Sequence, residues 1–449
     1  MVPRLRLRYE PRHSGANMEK LIIDGGHPLH GTVRASGAKN AALPILMATL
    51  LAPGEHRLTN VPKLADVDSS LSLLGRIGCP SLEGDPIRLD TSRIAYHEAP
   101  YDVVRKMRAS VLVLGPLLAR HGEAKVSLPG GCAIGVRPID QHLKGLEALG
   151  ATFNLENGTI HGRCGQLRGA EIQLDMPTVT GTENILMAAV LADGTSVIHN
   201  AAREPEIVDL GRFLITLGAK IEGLGSSDIV VHGVPSLSPG ARPYAVCPDR
   251  IETGTFLCAA ALTGGDIEVT HTDPSMLQAV LAKLTEAGCT VTTTPTTIRV
   301  KGPERLRSFR LRTEPFPGFP TDMQAQLMVV AALADGTSTI HENIFENRFL
   351  HAAELLRMGA RIETSGNAAT VHGQTRMTGS PVMASDLRAS AALVLAGLAA
   401  QGVTEIHRIY HLDRGYEDLV AKLRGVGARI ARVSDGMSDS AQMSAAMSA

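Results

Sequence analysis

Hydrophobic and polar positions along the chain form a pattern that repeats six times. Each unit opens with a helix rich in alanine and leucine, apolar almost all round. It then turns at a glycine, runs through a β-branched strand, and continues into a second helix and a further strand. The first helices are predicted over 41–51, 109–119, 184–191, 255–262, 324–333 and 389–399. A helix without a polar face belongs in an interior. The second helices, such as 208–217 and 276–287, carry apolar residues at helical spacing with charges between them, and are expected to pack beneath a sheet.

Glycine marks the end of each second helix, at Gly78, Gly150, Gly218, Gly288, Gly359 and Gly427, separated by 72, 68, 70, 71 and 68 residues. Glycine there suits a left-handed cap. The turns before the strands align as well: Pro53-Gly54-Glu55, Asp193-Gly194-Thr195, Asp335-Gly336-Thr337 and Gln401-Gly402-Val403. A proline-rich break over 235–248 parts the third unit from the fourth. The economical architecture is α/β, with two similar domains of three units each and a cleft between them where a site would lie.

Composition narrows the function. The 449 residues hold 44 Lys and Arg against 45 Asp and Glu, so no global field draws nucleic acid or an anionic membrane. Anion binding must come from a local cluster. The cysteines at 79, 132, 164, 247, 258 and 289 lack C-x-x-C spacing, which argues against zinc or a disulfide framework and for a reducing cytoplasm. No apolar run, 391–400 included, is long enough for a bilayer. Residues 1–17 bring four arginines without an apolar core and read as a disordered leader or an upstream start; 434–449 read as a loose tail.

Against that background one loop carries chemistry. Pro129-Gly130-Gly131-Cys132 is followed by Gly135-Val136-Arg137, so a thiol sits five residues from a guanidinium in backbone that no regular element would choose. A nearby cation lowers a thiol's pKa and activates it; the alternative is a buried structural cysteine in a turn. Polar residues recur at comparable places in other units: Lys39 and Asn40, Lys106 and Arg108, Asp249 to Thr253, Thr321 and Asp322, Glu346 to Arg348, Ser385 to Arg388, and Asp413 to Tyr416. Cations at several unit openings suit a small polyanion. Taken singly, each has the plainer reading of a cap or surface ion pair, Asp249 and Asp386 above all. Gly130 and Gly135 have P-loop spacing, but Val136-Arg137 follows where Lys-Ser is needed, and Gly223-Leu224-Gly225 lacks the third glycine of a dinucleotide fingerprint. His407 and His411 stand four apart with no completing ligand and are expected in a loop.

Six stretches together, 36–44, 129–138, 200–209, 319–326, 345–349 and 411–416, resemble the enolpyruvyl transferases that act on UDP-N-acetylglucosamine, and the likeness runs from about 18 to 433. The resemblance implies the two-domain "inside-out" α/β barrel, with 18–38 plus 248–433 as one domain and 39–247, carrying the Cys132 loop, as the other. The strand region 20–34 would thus join units four to six. It implies two small-molecule substrates, phosphoenolpyruvate and UDP-N-acetylglucosamine, with no cofactor, metal or nucleic acid, no membrane insertion, and a homo-oligomer left open. Phosphate would be released through a tetrahedral adduct.

By the same resemblance Cys132 would protonate the methylene carbon of phosphoenolpyruvate, and Asp322 would take the proton of the sugar hydroxyl. Lys39, Arg137 and Arg414 would hold phosphate and carboxylate, with Arg108 beside them, and Asp386 would relay protons. Asn40, Asp249, Ile344, Arg348 and Leu387 would contact the substrates, Arg348 orienting the closed site. Arg137, Pro138, Ile139, Asp140 and Gln141 would line the uridine, and Thr178 the diphosphate. One departure is Met176, where some members carry a lysine, so diphosphate contacts would fall to backbone amides and Thr178. The shikimate-pathway enolpyruvyl transferases share the fold but lack the Gly-Gly-Cys loop; a non-catalytic sugar-nucleotide binder is the other reading.

Overall fold

A computed structural model describes residues 19–434, except 83, 106, 129–138 and 375. Six four-stranded sheets answer to the six units. The third unit shows the plan. Glu171–Gln173 lies parallel to Thr195–His199, which pairs antiparallel with Asp228–His232, which in turn pairs with Lys220–Glu222. The fifth repeats it with Arg310–Arg312, Thr337–His341, Ala368–His372 and Arg361–Ser365.

The chain does not build its units one after another. Its first strand, Glu19–Asp24, fills the sixth sheet between Val403–His407 and Arg429–Ser434. Its second, His30–Arg34, is the parallel edge of the fourth sheet, against Asp266–Thr270. The chain then crosses to units one to three, and Tyr244–Ala245 supplies the parallel edge of the first sheet before it crosses back. Two hydrophobic cores result, one gathering 21–35 and 251–430, the other 38–246.

Where the chain crosses, its two segments bind each other. Gly37 and Pro248 form an antiparallel bridge, the Ala38 amide donates to the Cys247 carbonyl at 2.7 Å, and the Asp249 amide donates to the Ser36 carbonyl at 2.8 Å. Gly37 is required there, because a Cβ would stand 1.7 Å from the Asn60 carbonyl oxygen.

The apolar helices are interior. Lys39–Ala48, Val179–Ala189, Arg250–Thr263, Gln324–Ala332 and Leu387–Ala399 are buried along nearly their whole length. Burying each leucine or isoleucine there contributes about 1.5–3 kcal/mol against exposure. All six helix-ending glycines take positive φ, from 91° at Gly359 to 108° at Gly218.

Some expectations need correction. The third and fourth interior helices start at Val179 and Arg250, five residues before the apolar pattern begins, because their first turns are polar, with Thr182, Glu252 and Thr253 buried all the same. In the second unit Arg108–Val113 is a 3₁₀ turn and the α-helix starts at Leu114. Pro116 has no amide hydrogen for the Leu112 carbonyl and is tolerated only in a first turn. His407 closes a strand and His411 sits in the 3₁₀ turn Ile409–Arg414, neither in an irregular loop. Ser434 ends a strand opposite Glu19, so the expected tail begins one residue later, outside the described residues. Residues 1–17 also lie outside them.

Two glycine substitutions test this packing. Gly37→Ala drives a methyl into backbone and is expected to cost roughly 1–3 kcal/mol. Gly75→Ala, in helix Ala65–Ile77 with nothing within 4 Å of the new methyl, is expected to stabilise by roughly 0.5–1 kcal/mol. Urea unfolding midpoints that move the same way for both would refute the account.

Candidate active site

The anticipated polar residues occupy the openings of the units. Lys39 and Asn40 begin helix Lys39–Ala48, Arg108 begins the 3₁₀ turn, and Asp140 and Gln141 begin helix Asp140–Ala148, just after Ile139. Thr178, Asp249 and Asp386 cap the interior helices that follow them. Asp249 Oδ1 accepts from the amides of Ile251 and Glu252, and Asp386 Oδ1 from those of Arg388 and Ala389. Capping is therefore a role both aspartates perform whatever else they do. Helix N-termini aimed at one cleft favour an anion, since each carries unsatisfied amides and the positive end of a dipole.

Four cations gather around two carboxylates. Asp66, near the start of helix Ala65–Ile77, takes Lys39 Nζ at 3.3 Å on one oxygen and Arg414 Nε at 2.9 Å on the other. Lys39 belongs to one core and Arg414 to the other, so Asp66 ties the two together. Burial lowers the pKa of Lys39, and the nearby Arg388 and Arg414 push the same way against the attraction of Asp66 and Asp322.

Asp322 is held from two sides. Arg348 Nη2 meets its Oδ1 at 2.6 Å, while Arg388 meets its Oδ2 through Nη2 at 2.9 Å and Nε at 3.1 Å. Burial alone would raise its pKa, but Arg388 and Arg348 outweigh that and hold it well below the usual carboxylate range. Arg348 Nη1 also donates to Thr321 Oγ1 at 2.7 Å, and its guanidinium lies 5.0 Å from the Phe345 ring. Leu387 leads into Arg388 on helix Leu387–Ala399. Close to this cluster the Ile344 amide donates to Glu342 Oε1 at 2.9 Å, and Thr321 Oγ1 donates to Glu342 Oε2 at 2.9 Å.

A third junction lies nearer the crossing. Arg250 grips Glu206 in bidentate fashion, at 2.9 and 3.3 Å, one residue from each core. Glu183 nearby is pushed well above the carboxylate range, by burial first and then by Glu206 and Glu204, and burial raises Glu204 against the pull of Arg250.

Around Thr178 the loop is pinned to helix Asp140–Ala148. Gln141 accepts from the Asp175 amide and donates to its carboxylate, both at 2.9 Å, and Lys144 Nζ reaches Asp175 Oδ1 at 2.5 Å. Met176 is 61% exposed, so a cation does stand beside it, on Lys144 one residue over. The next turn is fixed by His142, whose Nε2 lies 3.1 Å from Thr180 Oγ1 and whose burial lowers its pKa to about 4.

Cys132, Arg137 and Pro138 lie outside the described residues, as does Lys106. Sequence reasoning missed Asp66, Glu206 and the roles of Arg250 and Arg388. In sequence Asp66 is an ordinary acid in a helical first turn, and its partner Arg414 is 348 residues away.

The comparisons agree with this geometry. A family model for EPSP synthase (3-phosphoshikimate 1-carboxyvinyltransferase) matches residues 23–423. The UDP-N-acetylglucosamine 1-carboxyvinyltransferase of Nitratidesulfovibrio vulgaris is 58% identical over 417 residues, covering 92% of this chain and 99% of that protein. That of Geotalea daltonii is 54% identical over 419 residues, with 93% and 100% covered. Among solved structures, the enolpyruvyl transferase NikO from Streptomyces tendae has a TM-score of 0.84 at 27% identity, covering 94% of this chain and all of that one. EPSP synthase from Acinetobacter baumannii has a TM-score of 0.72 at 18% identity, covering 93% and 100%, a likeness of fold alone. With six repeated α/β units in two cores, a family model over most of its length and relatives such as these at more than half identity, the chain belongs to the enolpyruvyl transferase family, with the UDP-N-acetylglucosamine 1-carboxyvinyltransferases.

Proposed function

We infer that this chain transfers the enolpyruvyl group of phosphoenolpyruvate to the 3-hydroxyl of UDP-N-acetylglucosamine and releases phosphate, the first committed step of peptidoglycan precursor synthesis. The observation that carries it is a cluster in which four cations, Lys39, Arg348, Arg388 and Arg414, pair with two carboxylates, Asp66 and Asp322. A site with that excess, facing helix N-termini, is suited to a compact substrate bearing both phosphate and carboxylate.

In this reading 18–38 with 248–433, and 39–247, are two bodies that close on substrate. Asp66 holds Lys39 and Arg414 until phosphoenolpyruvate replaces it, so the cations stay paired throughout. Cys132 delivers a proton to the methylene carbon and the sugar oxygen attacks C2; the tetrahedral adduct then loses phosphate as the thiolate left on Cys132 takes a proton back from the C3 methyl, which restores the double bond. Asp322 is ionised at neutral pH but a weak base while two arginines hold it. It receives the hydroxyl proton only as the forming C–O bond makes that proton acidic. Arg137 and Arg414 stabilise the charge of the adduct, with Arg108 beside them. Asn40, Ile344, Arg348, Asp249 and Leu387 position substrate, Ile139 to Gln141 flank the uridine, Thr178 serves the diphosphate, and Asp386 relays a proton. No helix among the described residues is long and apolar enough to cross a membrane; we place the protein in the cytoplasm on its unbridged cysteines and its phosphorylated substrate.

Phosphate release should require both phosphoenolpyruvate and UDP-N-acetylglucosamine, and shikimate 3-phosphate should not substitute. Release with shikimate 3-phosphate alone would assign the chain to the other branch.

Thiol reactivity gives a sharper test. Burial raises the thiols of Cys79 and Cys289 to about 11 and raises those of Cys164, Cys247 and Cys258 as well. A small anionic epoxide such as fosfomycin should therefore alkylate Cys132 well ahead of the other five. Cys132→Ser should lose most turnover, and Cys132→Asp should keep some while resisting the epoxide. Even labelling on peptide mapping, or an active serine variant, would remove Cys132 from the mechanism.

Asp322 sets an acid limit. Because its folded pKa is depressed, its contribution is complete above the unfolded value of about 4 and is lost as pH falls below it. Asp322→Asn strands two buried guanidiniums and should cost about 3–5 kcal/mol near pH 7, with a smaller deficit at pH 3. A deficit that does not change with pH would contradict this assignment.

A further inference from the structure

A cleft of about 170 Å³ opens between the two cores beside the chain crossing. Arg203, just before helix Pro205–Thr216, and Val208 and Arg212 along it, line one side. Met276 and Phe316 of the other core line the opposite side, and Cys247 of the returning segment lies among them. None of these residues takes part in the four-cation cluster.

Its charges are unequal in what they have left to offer. The two acids that line it are already engaged. Asp209 accepts from Tyr244 Oη at 2.7 Å and from the Cys247 amide at 3.0 Å, and Asp273 caps the turn Pro274–Leu277 through the Ser275 amide at 2.8 Å. The two arginines are not. Among the described residues Arg203 gives only its Nε, to the Gly225 carbonyl at 3.0 Å. Arg212 is exposed and, among the described residues, feels the charge of Asp209 and the nearby Tyr244. Two planar donors at the edge of an apolar wall fit an anion joined to an apolar body.

We propose that this cleft is a second ligand site for a small organic phosphate or carboxylate with a ring or short hydrocarbon body, and that occupancy biases the meeting of the two cores. The link runs through Phe316. Its amide donates to Glu204 Oε1 at 3.4 Å across the junction, and its ring lies 6.0 Å from the Arg250 guanidinium. Arg250 in turn grips Glu206 and feels the charge of Asp322. A ligand against Phe316 therefore touches the loop that connects the crossing to the reacting cluster. The second half of the proposal rests on the two-body closure above; the first does not.

The test uses the full chain with methyl-labelled methionine, the Met276 signal assigned through Met276→Leu, and phenyl phosphate as probe. The Met276 signal should shift and saturate in the wild type and in Lys39→Ala, whose reacting cluster is impaired. Arg203→Glu with Arg212→Glu should weaken that binding at least about tenfold, as expected for losing a charge-assisted contact. The double variant should still turn over within about twofold of wild type without probe, as surface changes do. Inorganic phosphate should bind more weakly than phenyl phosphate. An unmoved Met276 signal, a shift lost in Lys39→Ala, or equal binding by the double variant would overturn the site. Bound probe that leaves turnover unchanged would overturn the bias on closure and leave the site standing.

Discussion

Among the described residues the two cores are tied together at the chain crossing and across charged junctions. The crossing comes first. Two antiparallel segments meet at Gly37 and Pro248, with no room for a side chain at Gly37. Ser36, beside it, is caged: its amide donates to Glu252 at 2.7 Å, its hydroxyl to Glu417 at 2.6 Å, and Lys422 reaches both Ser36 and Glu252 at 2.6 Å. Burial raises Glu252 to about 7 against the pull of Lys422. A carboxyl whose folded pKa is raised favours the fold at low pH and loses that advantage as pH climbs through 7. The pivot is thus polar, buried and close to its own titration point.

Away from the pivot the cores are joined by opposite charges. Asp66 spans Lys39 and Arg414, and Glu206 spans to Arg250. Burying such groups is expensive, and removing one partner of a pair costs more than the pair contributes. The cleft must therefore be neutralised in every state. Internal carboxylates do this in part before substrate arrives and leave a surplus of positive charge. In the proposed mechanism that surplus attracts the anionic substrate, and the Asp66 it displaces limits how tightly it binds.

Much of this plan was legible in the sequence, because repetition and backbone chemistry are local. The glycines at 78, 150, 218, 288, 359 and 427 announced six helix ends, and all six have the left-handed backbone that glycine tolerates. The apolar helices announced an interior. Their starts did not: Val179 and Arg250 open turns of Thr, Gly and Glu that look like surface, although Thr182, Glu252 and Thr253 in them are buried. Pairings were illegible for a different reason. Nothing in the spacing ties Asp66 to Arg414 or Asp322 to both Arg348 and Arg388; those contacts exist only once the units have been folded against one another. Asp249 and Asp386 were read both as caps and as site residues, and the cap is what their hydrogen bonds display.

The grip on Asp322 constrains the order of events more than any other feature of the cleft. A carboxylate that accepts from Arg348 and Arg388 at 2.6 to 3.1 Å has its proton affinity suppressed, so it cannot ionise a sugar hydroxyl in advance. With Asp322 as the base, as proposed, proton loss follows carbon–oxygen bond formation rather than preceding it. Bond formation in turn requires C2 of phosphoenolpyruvate to be electrophilic, and protonation of its methylene carbon supplies that. A weak base on one side of the substrate thus calls for an effective acid on the other. In the proposed mechanism Cys132 is that acid, and the arginines that weaken Asp322 make the thiol's proton the first to move.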